Sequence, residues 1–397
     1  MKRFSERFIE GILFISSTVT SLTVLLIIIF LFKEGFGIFG ESPTEDGFKL
    51  VVNQQNPVKD LSGKDIKSMF DQEITNWKNV GGKADSIILF RSDDIANFYT
   101  EEELGANLEF VPQKIAELID KTPNIIAFIP EKYTQTPNFK GKIITIEKIG
   151  FINYFFGKEW FPTAQPVALH GILPLLLGTL MVSLLAIIFA LPLGLATAIY
   201  LAEIAGQRTR AILKPVIELL AGIPSVIYGF FGLTVIVPTI QQVFDLPVGE
   251  TALAGSVLLA IMALPTIITI SEDALRNTPL AMREASLALG ATHWQTISKV
   301  VIPYSISGIT AAAMLGVGRA VGETMAVLMV TGNAAVIPHS LLEPVRTIPA
   351  TIAAELGEVA KGGTHYQSLF MLGCILFLIT MLINFTVAYI SNRQKNA

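Results

Sequence analysis

Six long apolar stretches, 11–32, 171–201, 215–240, 251–270, 304–330 and 368–390, limit what this chain can fold into. About 20 apolar residues in a helix cross a hydrocarbon layer, and only a helix satisfies its own backbone polar groups there. The rest of the composition agrees: 51% of the 397 residues are hydrophobic and 16% charged, with mean hydropathy +0.57, too apolar for an average soluble enzyme. The expected fold class is an α-helical integral membrane protein with six transmembrane helices. The formal net charge of -4, with Lys and Arg spread along the chain, offers no basic field and excludes nucleic acid as a partner. Cys374 is the single cysteine and lies in an apolar run. It therefore supports neither a disulfide framework nor a Cys-based metal site, and its expected role is packing. No cofactor and no metal are expected.

Lys2, Arg3 and Arg7 precede the first run, which reads as a signal peptide or a transmembrane anchor. It is longer than a signal core and ends in Lys33-Glu34 without small-residue cleavage chemistry, so the expectation is an uncleaved span over 11–32 with 1–10 in the cytoplasm. Residues 33–169 are charged and punctuated by Pro, Gly and Asn, the pattern of a water-soluble, extracytoplasmic insert. Within it Leu61 to Phe70 reads as a helix with Ser62 as N-cap, Asn79 to Gly82 as a turn, and Ile87 to Phe90 as a strand. Val111 to Lys121 reads as a second helix and Ile125 to Ile129 as a buried strand, together a small α/β unit. A five-helix core follows over 170–391, with its third span over Pro215 to Ile240. Arg208, Arg210 and Lys214 mark one cytoplasmic turn, and Arg276, Arg283 and Lys299 the loop 271–303, which opens at Ser271-Glu272-Asp273. Arg393 and Lys395 hold 392–397 inside. The positive charges place both termini in the cytoplasm of a multi-pass protein of the cytoplasmic (inner) membrane.

Two stretches carry more specific signals. In the fifth span, read over Tyr304 to Val330, Gly318 to Ala326 places Arg319 and Glu323 four residues apart on one helical face. Arg319 lies about 22 Å from Tyr304 at ~1.5 Å per residue. Ionisable groups at that depth cost roughly 3 kcal/mol each and must face the bundle interior. Two readings stand: a guanidinium that binds an oxyanion in a pathway, with Glu323 keeping the anion releasable, or a fixed ion pair that locks the bundle. Ala221 to Gly232, with Pro224 and Ser225, is small-residue-rich and apt to break the backbone near a pathway. The candidate pathway residues are Arg319, Glu323, Thr324 and Ser225; no residue is expected to be catalytic.

The second stretch is Glu284-Ala285-Ser286, three residues, Gly290, nine residues, and Val300-Val301-Ile302-Pro303. It reads as helix, sharp turn at Gly290, and a helix that Pro303 can open. The spacing resembles the EAA loop of ABC-importer permeases, departing by Ser286 for Ala, Val300 for Ile and Ile302 for Leu. That resemblance implies that Glu284, Ala285, Ser286, Gly290 and Pro303 dock into an ATPase subunit. Gly322 to Val327, Leu219 to Val226 and Gly178-Thr179-Leu180 together resemble the C-type permease subunits of phosphate-specific (Pst) transport systems. The resemblance implies a type I ABC importer architecture, inorganic phosphate as substrate, a second permease subunit as heterodimer partner, two ATP-binding subunits and an extracytoplasmic phosphate-binding protein.

The insert has its own resemblance. Asn56 to Leu61, Ile74 to Gly82 and Arg91 are similar to part of the periplasmic phosphate-binding proteins over Leu50 to Ile146. Where that family follows its arginine with Ser-Gly-Thr, this chain has Ser92-Asp93-Asp94, and two carboxylates repel an anion. The insert is therefore expected to fold outside the membrane without binding phosphate by itself. No G-x-x-x-x-G-K-[S/T] stretch occurs, since Gly63-Lys64-Asp65 and Gly82-Lys83-Ala84 lack the Ser or Thr, so ATP hydrolysis is assigned to a partner chain. The expected function is the permease subunit of an ATP-driven phosphate importer. The alternative is a membrane-tethered phosphate sensor with the insert as ligand module.

Overall fold

The computed structural model describes residues 2–45, 47–105, 107–137 and 139–395, without the side chains of 2–8 and 390–395. The terminal charges Lys2, Arg3, Arg7, Arg393 and Lys395 invoked for topology lie outside the described side chains. The chain forms two compact units, residues 1–35, 173–359 and 369–397 in one and 36–172 with 360–368 in the other.

Helix α1 (Lys2–Phe36) leads the first unit and exposes most of its apolar side chains from Ile9 on. The second unit is built on strands β1 (Phe48–Asn53), β2 (Asp60–Leu61), β3 (Ile88–Arg91), β4 (Ile125–Pro130), β5 (Gly141–Ile143), β6 (Thr145–Ile146), β7 (Trp160–Phe161) and β8 (Leu169–His170). Its central sheet runs β3-β4-β1-β5, with β3 parallel to β4 and β1 antiparallel to both neighbours. Period-2 alternation sends Leu50, Val52, Ile126 and Phe128 to one face and Val51, Ile125, Ala127 and Ile129 to the other. Both faces are covered, which is why β4 reads as a continuous apolar run. Helix α2 (Gly63–Phe70) packs Ile66, Met69 and Phe70 on the first face. After the short α3 (Glu101–Leu104), α4 (Val111–Lys121) packs Val111, Ile115 and Ile119 on the second. The Asp65 amide donates to Ser62 Oγ at 3.1 Å, the expected N-cap, although Leu61 belongs to β2 rather than to the helix. The short α5 (Phe151–Phe156) precedes the β7-β8 pair in this unit.

Six helices among the described residues are long and apolar enough to cross a membrane: Ile9–Phe36, Leu173–Ile204, Ser225–Phe244, Ala252–Arg276, His293–Gly322 and Thr364–Tyr389. In the first unit α6 (Leu173–Ile199), bearing Pro192, is followed by α7 (Gln207–Ala221), α8 (Ser225–Phe231), α9 (Val237–Phe244) and α10 (Ala252–Arg276). Then come α11 (Leu280–Ala288), α12 (His293–Thr296), α13 (Ile302–Gly322), α14 (Met325–Val330), α15 (Ile348–Glu355) and α16 (Thr364–Lys395). The most buried span is α10, against which α6 and α13 pack. Ile267 is the contact point: a Cβ on Gly194 or Gly316 would come within 3 Å of its side chain, so small residues let three helices meet. Cys374 is fully buried, and its Sγ donates to the Leu31 carbonyl at 3.3 Å, the packing role expected.

Three features depart from the sequence reading. The third span begins at Ser225, not Pro215, because Gly222-Ile223-Pro224 breaks the helix and Pro215 belongs to α7. The proposed turn at Arg208 to Lys214 is therefore part of a 15-residue helix. Ser271-Glu272-Asp273 continues α10 rather than opening a loop. Pro303 stands at the first positions of α13, as expected, and the wide turn Ile297–Val301 joins α13 to α12 without a break in the run His293–Gly322. A proline ring clashes with the carbonyl one turn back. Wide i→i+5 turns at Ile297–Val301 and Gly232–Ile236 immediately precede the residue pairs ending in Pro303 and Pro238 and relieve that clash.

Candidate functional site

At the break before α8 the Leu220 carbonyl accepts from the Ile223 amide at 3.3 Å and from Tyr228 Oη at 2.8 Å, so the interruption is built in rather than frayed. Ser225 opens α8 directly after Pro224. A second break lies between α13 and α14: Glu323 has φ -70 and ψ 134, extended rather than helical. The two breaks belong to one neighbourhood. Gly229 of α8 packs on Ala326 and Met329 of α14, and Tyr228, Ala320, Ala326 and Val327 share a buried cluster against which Ile223 packs. A cavity of about 490 Å³, lined in part by Gly322, Thr324, Pro349 and Ile352, opens beside the second break.

The expectation that Arg319 and Glu323 share a helical face is corrected here, because the helix ends between them. Glu323 Oε1 instead accepts from the Ala326 amide at 3.5 Å, at the start of α14, where a carboxylate complements the helix dipole. Thr324 Oγ1 donates to the Gly322 carbonyl at 3.2 Å. Arg319 Nη1 reaches Thr266 Oγ1 at 3.4 Å and, among the described residues, makes no ion pair. A guanidinium within a span and without a counter-charge is costly unless water or an anion meets it.

The stretch from Glu284 to Gly290 forms a second candidate surface. Helix α11 is capped by Leu289, and Gly290 takes φ +84, with its amide donating to Leu287 O at 2.9 Å and the Ala291 amide to Ser286 O at 3.2 Å. This closes the helix C-terminus with glycine in the left-handed region. The hydroxyls of Ser286 and Thr296 lie 3.0 Å apart and tie α11 to α12. Glu284 and Ala285 are exposed, and Leu280, Leu287 and Trp294 are exposed with Leu289, which stands 90% in the open. Apolar side chains so displayed mark an interaction face. Pro303 lies at the start of α13, 13 positions after Gly290 in the chain.

The chain matches the family described as the binding-protein-dependent transport system inner membrane component over residues 190–396, more than half its length. It belongs to that permease family. Residues 33–149 match the PBP superfamily domain. A probable ABC transporter permease protein, YqgH of Bacillus subtilis, is 41% identical over 244 residues, covering 62% of this chain and 79% of that protein. The phosphate transport system permease protein PstC of Mesorhizobium japonicum is 39% identical over 264 residues, covering 62% and 79%. Among solved structures, an inward-facing MetNI methionine ABC transporter is 22% identical over 58% of this chain and 99% of that one, with TM-score 0.45. The chain is thus a multi-pass ABC importer permease, PstC-like, carrying a PBP-like insert. Such a permease works with ATPase and binding-protein partners.

The permease also holds ion pairs that no sequence spacing announced. Glu272, 1% exposed, is met by Arg210 at 2.6 Å and Lys214 at 3.1 Å, joining α7 to α10. Arg283 of α11 pairs with Glu203 at 2.9 Å, an ion pair rather than an aligned hydrogen bond, and donates to Leu275 O at 2.9 Å. These contacts fix α11 to the ends of two spans. Removing Arg283 leaves Glu203, with a side chain 5% exposed, without its counter-charge, a loss of about 3–5 kcal/mol. Arg283→Ala is expected to lower the melting temperature of the purified chain in detergent, and Arg283→Ala with Glu203→Gln to regain most of the loss. Equal melting temperatures for wild type and the single variant would contradict this role.

In the PBP-like insert, Arg91 closes β3 with Nη2 3.4 Å from Gln165 O and its guanidinium carbon 5.4 Å from the centre of the Phe70 ring. Asp94 Oδ2 accepts from the Arg91 amide at 3.2 Å. A carboxylate thus caps the turn that follows Arg91.

Proposed function

We propose that this chain is the permease subunit of an ATP-driven importer of inorganic phosphate, forming the phosphate path and coupling to a separate ATPase. The observation that carries the reading is Arg319, a guanidinium within a span whose polar contact is Thr266 Oγ1 at 3.4 Å. Its planar donors match a tetrahedral oxyanion. Ser225 and Thr324 stand at the two helix breaks, where they add hydroxyls to the path. The similarity to the phosphate permease of Mesorhizobium japonicum over 79% of that protein supports phosphate as the oxyanion.

In this reading the complex is a heterodimer with a second permease, two ATP-binding subunits, and an extracytoplasmic phosphate-binding protein that delivers substrate. Both termini and the segment 277–292, with α11, face the cytoplasm of the inner membrane, and Glu284, Ala285, Ser286 and Gly290 form the ATPase contact. The insert 33–169 lies outside, where it shapes the entrance or meets the incoming receptor; the Arg91 position, capped by Asp94, is not a phosphate receptor site. Co-purification with an ATPase tests the assembly. Stimulation of ATP hydrolysis by receptor loaded with phosphate, and not by sulfate, phosphonate or molybdate, tests the substrate. Equal stimulation by molybdate would replace phosphate in this proposal, and an insert that binds phosphate while no ATPase associates would favour a membrane-tethered sensor.

A further inference from the structure

The second unit contains a pocket remote in sequence from Arg91. It has a volume of about 460 Å³ and is walled by the start of α2, the segment around α5, and β8. Three independent features of its wall favour an anion. The first is the N-terminus of α2: Ser62 caps the Asp65 amide, while Gly63 and Lys64 lie at the first helical positions, where backbone N–H groups have no intrahelical acceptor. The second is cationic. Lys64, Lys148 and Lys158 line the pocket and, among the described residues, form no ion pair. Two carboxylates also stand in the wall, each with a partner: Glu159 lies 3.9 Å from Lys67, and Glu147 accepts from the side-chain amide of Asn153, itself a wall residue, at 3.1 Å.

The third is His170, which lines the same pocket, is 5% exposed, and has neither ring nitrogen hydrogen-bonded. Antiparallel pairing of β8 with β7 sets it opposite Trp160, ring centroids 6.0 Å apart. Burial, with a smaller contribution from His365, pushes its pKa down to about 3. The ring is therefore neutral near pH 7 and presents one N–H donor and one acceptor. A buried donor without a partner is destabilising, and a ligand oxygen at this wall would remove that cost.

We propose that this pocket binds a phosphoryl oxyanion, held by the α2 N-terminus, Lys64 and His170. Two sources present that chemistry: free phosphate and a phospholipid headgroup. Ile152 and Phe156 also line the pocket and are 71% and 66% exposed, and the chain enters its second span at Leu173. Apolar side chains beside the anion donors suit an acyl chain, so the lipid source fits the wall better.

The full chain, purified in an uncharged maltoside detergent without phosphate buffer, is titrated calorimetrically with inorganic phosphate and, separately, with dihexanoyl phosphatidylglycerol. Saturable binding of at least one probe is expected, weakened tenfold or more by Lys64→Gln, an exposed position that does not threaten folding, and by His170→Leu. The component that depends on Lys64 and His170 should persist in Arg319→Leu, which removes only the guanidinium assigned to the transport path. Binding of the lipid alone identifies a headgroup site; binding of both identifies a general phosphoryl site. Absence of saturable binding by either probe overturns the proposal. So does binding that Lys64→Gln leaves intact, or binding that Arg319→Leu abolishes, which would assign the signal to the transport path.

Discussion

Arg319→Glu is expected to reduce phosphate uptake roughly hundredfold or more, and adding Glu323→Arg is expected to restore nothing. A guanidinium-oxyanion contact in a water-poor site is worth about 3 kcal/mol or more, and each 1.4 kcal/mol is a factor of ten. The failure of the swap follows from the different tasks of the two side chains. Glu323 Oε1 accepts from the Ala326 amide at the start of α14, and an arginine placed there has no acceptor to offer. A glutamate at 319, facing Thr266 at 3.4 Å in the wild type, would repel the substrate. Transport at wild-type rate by the double variant would show that the two groups act as an exchangeable ion pair and would remove Arg319 from the path. The amount of each variant in the membrane separates a transport defect from misfolding.

Substitutions at Gly290 should grade coupling by backbone strain alone. Its φ is +84, and a Cβ built there meets nothing within 4 Å, so space is not the constraint. Left-handed backbone costs ordinary residues roughly 1–2 kcal/mol, is visited by Asn, and is least tolerated by β-branched side chains. Phosphate-stimulated ATP hydrolysis in the assembled complex should therefore fall in the order Gly290, Asn, Ala, Val, with Gly290→Val about tenfold or more below wild type. The level of membrane-inserted chain should change little, because the turn is exposed and away from the core of the bundle. Equal activity for Asn and Val would show that the turn does not set the geometry of the Leu289 and Trp294 face.

Local signals were legible where short-range chemistry decides the backbone. Val111 to Lys121 was bounded correctly as a helix, Ser62 as a cap, and Ile125 to Ile129 as a buried strand to within a residue. The break near Ala221 to Pro224 was visible because Gly and Pro act on their own neighbours. What escaped depends on residues far apart in the chain. Glu272 resembles the first polar residue after a span, yet it is buried because Arg210 and Lys214, about 60 positions earlier, neutralise it. Glu323 carries a helical spacing from Arg319, but Gly322 and the cap needed by α14 end the helix first. The start of the third span was misplaced because the exposed apolar residues of α7 merge in sequence with those of α8. Amphipathic and membrane-spanning helices are hard to part by hydropathy alone.

The central claim is that this chain conducts phosphate under the control of an ATPase. The most direct measurement is accumulation of radiolabelled phosphate by vesicles containing the chain with its partner permease, ATPase and binding protein. Accumulation that requires ATP, is lost with Arg319→Glu, and resists competition by excess sulfate is the result this account predicts. Full accumulation by the Arg319→Glu complex, or ATP-driven accumulation of sulfate in place of phosphate, would contradict it.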